Sequence, residues 1–281
     1  MTLTVGGALA EAQRKLDAVD ARALLRHVVG RDAVYLAANP DAGLSAAEQR
    51  AFEALVARRA AGEPVAYLTG EREFFSLNFR VAPAVLIPRP ETELLVELAL
   101  ERIPAAAPCR VLDLGTGSGC VAISIARHRP RARVTATDRS PDALEIAGQN
   151  ARALGVTNVE FRFGDWFGGV AGESFDVIVS NPPYVARDDP HLHRGDLLFE
   201  PRHALAAGVD GLDCIRKIVH DAGTHLAAGG WLMFEHGYDQ AERCRALLSA
   251  AGLVAVFSRR DLAGIERVSG GRARTLDGQP D

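Results

Sequence analysis

Four consecutive residues, Asn181, Pro182, Pro183 and Tyr184, close an apolar run, FDVIVS, that reads as a buried strand. Each proline fixes its own φ near −65° and holds the residue before it extended, so Asn181 and Pro182 become part of a stiff bracket. Such a bracket aims the Asn181 side-chain oxygen and the Pro182 backbone carbonyl at one point, where they receive the two hydrogens of a planar NH₂ group. The out-of-plane face of that nitrogen stays free. A nitrogen of this kind, in an amide or an aromatic amine, is a poor nucleophile, and the motif contains no titratable base. Catalysis would then rest on positioning, worth up to roughly 7–11 kcal/mol, and on acceptor dipoles facing the positive charge that develops on nitrogen. Tyr184 is expected to stack on the planar substrate. A strand-ending turn also favours prolines, but the motif ends the fourth strand of an alternating series, opposite a glycine-rich loop.

That loop, DLGTGSG, follows the first strand of the series and opens a helix. Gly115, Gly117 and Gly119 permit a tight turn, and the helix N-terminus offers unpaired N–H groups to an anion. The dinucleotide fingerprint needs its third small residue one position later, where Cys120 stands. With Asp113 before it and Thr116 and Ser118 between the glycines, the loop suits S-adenosyl-L-methionine better than NAD. A turn that merely eases helix packing is the alternative. Asp138 ends the second strand, 23 residues after Gly115 (138 − 115 = 23), where a carboxylate takes both ribose hydroxyls. A helix-capping role is also open to it, although Ser140 is better placed for that. Asp165 and Trp166 follow the third strand, where an adenine ring would lie. The acid would accept from the exocyclic amine and the indole would cover the ring, while Trp166 as core filling stays open. Tyr184 would alternatively border the sulfonium of the donor.

These residues need a frame. Beyond residue 109, strands such as RVLDLG, RVTATD and FDVIVS alternate with helical segments, and their near-continuous apolar character predicts a parallel, doubly wound sheet covered on both faces. Ligands of such sheets bind beyond the carboxyl ends of the strands. From Leu3 to about Gly62 the apolar residues recur at three- and four-residue steps, a small helical domain. The expected division is a helical domain over 1–75, a β-hairpin linker over 76–90, a catalytic domain over 91–272 and a disordered tail over 273–281.

The chain has 281 residues, 48% hydrophobic and 24% charged, with a net charge of −4, which argues against a protein that draws its affinity from neutralising many phosphates. The four cysteines form no CxxC pair and no zinc spacing, so free thiols and no metal are expected. No signal segment and no run of about 18 apolar residues is present, which predicts a cytoplasmic protein without membrane contact.

Taken together, IPRPETE, DLGTGSG, GDWF, SNPPY, DPHL with GDLLFEP, and ERVSGGR, behind a small helical domain, resemble the HemK/PrmC peptide-chain release factor glutamine N5-methyltransferases. The likeness runs from about Gly62 to Arg272. It implies an α/β class I S-adenosylmethionine-dependent methyltransferase fold, Rossmann-like, with a mostly parallel seven-stranded sheet. It also implies methylation of the glutamine amide in the Gly-Gly-Gln loop of class-1 release factors, with S-adenosyl-L-homocysteine as product. The cofactor residues implied are Gly115 to Gly119, Asp138, Trp166 and Asn181. The substrate glutamine would lie against Asn181, Pro182, Pro183 and Tyr184, and the helical domain would dock the protein substrate. A monomer that binds no nucleic acid directly is expected.

Two other substrates share this chemistry: a glutamine of a ribosomal protein, and the exocyclic amine of adenine in nucleic acid. The second calls for a basic recognition region, and residues 1–62 intersperse Arg and Lys with Asp and Glu. A nicotinamide-dependent dehydrogenase conflicts with the glycine spacing. Glu200 and Pro201 sit in a long segment, Ala186 to Gly208, readable as a loop closing over the site or as a solvated surface loop. Arg89 and Glu91 line the cleft or merely start a helix. Glu235 and His236 end the fifth strand, with His236 read as a structural histidine.

Overall fold

A computed structural model describes residues 3–193 and 195–275. The chain forms two compact units: one runs to Glu71 and includes His193–Phe199, the other holds Arg72–Leu192 and the chain from Glu200.

The first unit is helical: α1 (Val5–Ala12), α2 (Ala18–Val29), α3 (Ala33–Ala38), α4 (Ala46–Ala60) and α5 (Val65–Thr69). Local chemistry starts and stops these helices. Asp17 accepts from the Val19 and Asp20 N–H groups, Ser45 and Glu48 form a reciprocal capping box, and Gly30 ends α2 in the left-handed region. Leu24, Leu25, Phe52 and Val56 fill its core. Arg59 donates to Asp20 and, at 3.1 Å, to Asp196, so the 193–199 segment joins this unit through an ion pair.

The second unit opens with a hairpin, β1 (Glu71–Phe74) and β2 (Leu77–Arg80). Its strands precede most of the 76–90 stretch expected from the sequence. The two-residue turn, Phe75–Ser76, has φ of 51° and 60° without a glycine, so the usual Asn-Gly signature is missing. Carboxylates compensate: Glu93 Oε1 accepts the Phe75 N–H at 2.8 Å and Glu73 Oε1 the Ser76 N–H at 2.7 Å.

Helix α6 (Glu93–Arg102) leads into the alternating series of β3 (Cys109–Leu114), α7 (Cys120–His128), β4 (Ala132–Asp138), α8 (Pro141–Ala153), β5 (Val159–Phe163) and β6 (Phe175–Ser180). After a long connection come α9 (Asp213–Ala222), β7 (Leu226–Glu235), α10 (Ala241–Ala250), β8 (Val254–Arg260) and β9 (Glu266–Arg272). The seven strands lie in the order β5-β4-β3-β6-β7-β9-β8. Neighbours from β5 to β7 are parallel, whereas β9 runs antiparallel to β7 and β8. This is the mostly parallel, seven-stranded class I methyltransferase sheet expected.

One face buries α6, α7 and the hairpin aromatics Phe74 and Phe79. The other buries Ile215, Ile218 and Val219 of α9 and Cys244 and Leu248 of α10. Helix α9 ends at Ala222, and from Leu226, which pairs with Phe175, the chain runs in β7. Ala273 still donates to the Gly230 carbonyl, and the rest of the expected tail, from 276, lies outside the described residues. All four cysteines are free thiols. Among the described residues, no helix is long and apolar enough to cross a membrane, and no cluster of His, Cys, Asp or Glu could hold a metal ion.

Candidate active site

The sheet reverses its order at β3, which has β4 on one side and β6 on the other. Parallel sheets open a crevice at such a point, beyond the carboxyl ends of their strands. Here the crevice is a cavity lined by the glycine loop after β3, by Asp138 to Ser140 after β4, by Asp165 and Trp166 after β5, and by Asn181 and Pro183 after β6. Ala84 to Leu86, Pro88, Thr92, His203, Ala204 and Ala206 also line it.

Asp113 is buried at the strand end, where Thr116 Oγ1 donates to it at 2.6 Å. Burial pushes its pKa up to about 7, opposed by the Thr116 hydroxyl and the Ala122 N–H. This carboxyl therefore holds the loop from behind. The N–H groups of Gly115 and Thr116 donate to the Thr137 carbonyl, tying the loop to β4. Helix α7 (Cys120 onward) follows Gly119 with no side chain on its cap position; the Ala122 N–H is taken by the Asp113 carboxyl, and the N–H groups before it are left for an anion. Asp138 accepts from the Gly117 and Ser140 N–H groups, both at 2.9 Å, which fixes the carboxylate and leaves lone pairs for hydroxyl donors. Ser140 is the cap of α8, accepting from Ala143, so capping is not the task of Asp138.

Trp166 has φ of 53°, an unusual conformation for a bulky residue, and its indole packs over Gly115. The Thr137 hydroxyl donates to its carbonyl at 3.0 Å. Asp165 lines the same end of the cavity, but Lys217 of α9 bonds to it at 2.5 Å. Any exocyclic amine would share this carboxylate with a lysine, a partner that the residues around GDWF did not suggest. Burial pushes the Cys120 thiol up to about 12, so it lines the cavity as a neutral group.

At the end of β6, the Ser180 hydroxyl donates to the Leu114 carbonyl at 2.8 Å and locks that strand end to β3. Asn181 Nδ2 donates to Thr92 Oγ1 at 3.0 Å. With the nitrogen engaged, Oδ1 is the atom left to accept. Tyr184 lies outside the cavity lining: its hydroxyl donates to the buried Glu235 at 2.9 Å and its ring packs against the core. Gln240 Nε2 donates to the Tyr184 carbonyl at 2.9 Å.

Several supports were not evident from residue types. Asn150, inside α8, accepts the Arg80 N–H and donates to the Arg80 and Ser118 carbonyls, so one buried amide ties the hairpin to the glycine loop. Its signal was a polar residue on the buried stripe of an amphipathic helix. Glu200, whose side chain is fully buried, accepts the Ile87 N–H at 3.0 Å and pairs with Arg89. Glu200 thus fastens the start of the 200–208 stretch to Ile87 and Arg89 beside the cavity, while Arg202 and His203 stay exposed. His236 is buried and structural: Nδ1 donates to the Gly237 carbonyl, Ser269 donates to Nε2, and burial lowers its pKa and keeps it neutral.

Comparison with known proteins agrees with this arrangement. Residues 91–208 match the methyltransferase small domain, and residues 6–70 match the PrmC N-terminal domain. The release factor glutamine methyltransferase of Burkholderia pseudomallei is 56% identical, over 92% of each chain. That of Xylella fastidiosa is 52% identical over 94% of this chain and 96% of its own. In the fold, the crystal structure of a methyltransferase from Pyrococcus furiosus superposes with a TM-score of 0.55 at 20% identity, covering 78% of this chain and 98% of the other. With matched helical and catalytic regions and this identity along almost the whole length, the chain belongs to the release factor glutamine methyltransferase family.

Proposed function

We propose that this protein transfers a methyl group from S-adenosyl-L-methionine to the side-chain amide nitrogen of a glutamine, that of the Gly-Gly-Gln motif in class-1 peptide chain release factors. The observation that carries this reading is the pinned orientation of Asn181, with its nitrogen on Thr92 and its oxygen free at the edge of the cavity.

The residues present fit the donor. Asp138, held by two amides, would take the ribose hydroxyls. The glycine loop and the uncapped start of α7 would face the amino-acid carboxylate, and Trp166 with Asp165 would flank the adenine. When bound, the sulfonium supplies an electrophilic methyl group. Asn181 Oδ1 and the Pro182 carbonyl would accept the two amide hydrogens of the glutamine, directing the face of its nitrogen at the methyl. As positive charge grows on nitrogen, these two acceptor dipoles stabilise it without any reorganisation of solvent, and once the methyl has moved the nitrogen loses one of its two protons to solvent, leaving S-adenosyl-L-homocysteine as the other product. Pro183 stiffens the bracket, and Tyr184 supports it from the core side. The helical unit, whose helices run from Val5 to Thr69, serves as the dock for the release factor, ahead of the catalytic unit that carries the sheet.

The test is mass spectrometry of a purified class-1 release factor after incubation with the protein and S-adenosyl-L-methionine. A ribosomal protein and adenine-containing DNA serve as parallel substrates. A single added methyl on the Gly-Gly-Gln glutamine is expected. Methylation of either alternative without the release factor would overturn the substrate assignment.

A further inference from the structure

Glu235 ends β7 one position beyond Phe234, the register partner of Ser180, so it stands level with Asn181 at the carboxyl edge of the sheet. Its residue is 1% exposed, it joins no ion pair among the described residues, and Oε2 is buried without a hydrogen-bond partner there. A buried carboxyl with an open oxygen is a costly group to retain, and such a group requires an explanation. Its two neighbours supply one. Tyr184 donates its hydroxyl to Oε1 at 2.9 Å. Thr92, also 1% exposed, stands beside the carboxyl and favours its charged form, without closing a hydrogen bond of normal geometry to Oε2. Thr92 and Tyr184 thus flank one carboxyl, and Thr92 is also the residue that receives the Asn181 amide.

We propose that Glu235 and Thr92 are positioning residues that set the polarity of the amide grip. This inference rests on the methyl-transfer reading of Asn181 given above. In its charged form, which Thr92, Tyr184 and Arg267 favour, Glu235 only accepts, so it turns the Thr92 hydroxyl proton toward itself and the Thr92 lone pairs to Asn181. Asn181 must then present Nδ2 to Thr92 and Oδ1 to the cleft. Without the hydroxyl, the Asn181 amide can turn over and offer its own N–H groups to the N–H groups of the incoming glutamine. The same carboxylate holds Tyr184, so both ends of the Asn181–Tyr184 bracket are referred to one buried group. Burial raises the Glu235 pKa, while Thr92, Tyr184 and Arg267 act against that rise and Glu91 adds to it.

The test compares Thr92→Val, which keeps shape and removes the hydroxyl, with Thr92→Ser, which restores it. In single-turnover methylation of the release factor, Thr92→Val should lower the rate roughly ten- to a hundredfold, the scale of one hydrogen bond lost from a transition state. Affinity for S-adenosyl-L-methionine and the melting temperature should stay near wild type, and Thr92→Ser should recover most of the rate. In an Asn181→Ala background, Thr92→Val should have no further effect. A second readout needs no substrate. The Asn181 side-chain amide resonances, identified by their loss in Asn181→Ala, should shift and exchange faster in Thr92→Val. A wild-type rate in Thr92→Val, or an equal loss in the Asn181→Ala background, would overturn the inference. If the wild type leaves the release factor unmethylated, the functional reading fails, and unmoved Asn181 resonances in Thr92→Val would then reject the positioning role by themselves.

Discussion

Gly117 and Gly119 stand two residues apart in one turn, and alanine at each should fail in a different way. At Gly119 φ is +81°, and an added Cβ would lie 2.9 Å from Ile123 Cδ1 and 3.1 Å from Ala147 Cβ. The left-handed backbone costs an alanine about 1–2 kcal/mol. Overpacking against α7 and α8 adds about 1–3 kcal/mol. The sum, roughly 2–5 kcal/mol, corresponds to a loss of roughly 5–15 °C in melting temperature for a chain of this size. At Gly117 φ is +55° and nothing lies within 4 Å of the added Cβ, which would project into the cavity that Gly117 lines. Only the backbone penalty of about 1–2 kcal/mol then falls on stability. The methyl group instead occupies space needed for close approach of a ligand to the loop, so affinity should drop at least about tenfold. Thermal unfolding without ligand and calorimetric titration with S-adenosyl-L-methionine separate the two outcomes. The reasoning is refuted if Gly119→Ala melts within a degree or two of wild type, or if Gly117→Ala binds the donor as tightly as wild type.

Asn181→Ala should leave S-adenosyl-L-methionine binding nearly intact by calorimetry while lowering methyl transfer by roughly a hundred- to a thousandfold, the scale of one lost transition-state dipole. Glu200→Ala removes the acceptor of the Ile87 N–H and the partner of Arg89. Amide hydrogen exchange should then rise across residues 200–208 and 84–89, and donor affinity should weaken. Asp113, raised from 3.8 to about 7 by burial, keeps its proton in the native state over a range in which the unfolded chain has lost it. The native state therefore binds more protons, and stability falls as pH rises from about 4 to about 7. Urea titrations across that range should show the slope in wild type and a flatter line in Asp113→Asn.

The local pattern of the chain was sufficient for the alternation of strands and helices beyond residue 109, for the helical unit before it, and for the placement of the DLGTGSG, Asp138, GDW and NPPY residues at strand ends. Apolar periodicity and capping chemistry are nearest-neighbour properties, and a parallel sheet converts strand ends into a crevice wherever its order reverses. The hairpin was placed late because its turn uses Phe75 and Ser76 at positive φ, held by carboxylates from Glu93 and Glu73. No turn composition records a partner 18 residues away. The same holds for the supports of the site. Thr92 meets Asn181 across 89 residues, Glu235 meets Tyr184 across 51, and Glu200 meets Ile87 across 113. Residue types could mark Asn181 as the group that grips an amide. Which of its two ends faces the cleft depends on a hydroxyl and a carboxyl brought beside it from distant segments, and folding alone makes those neighbours.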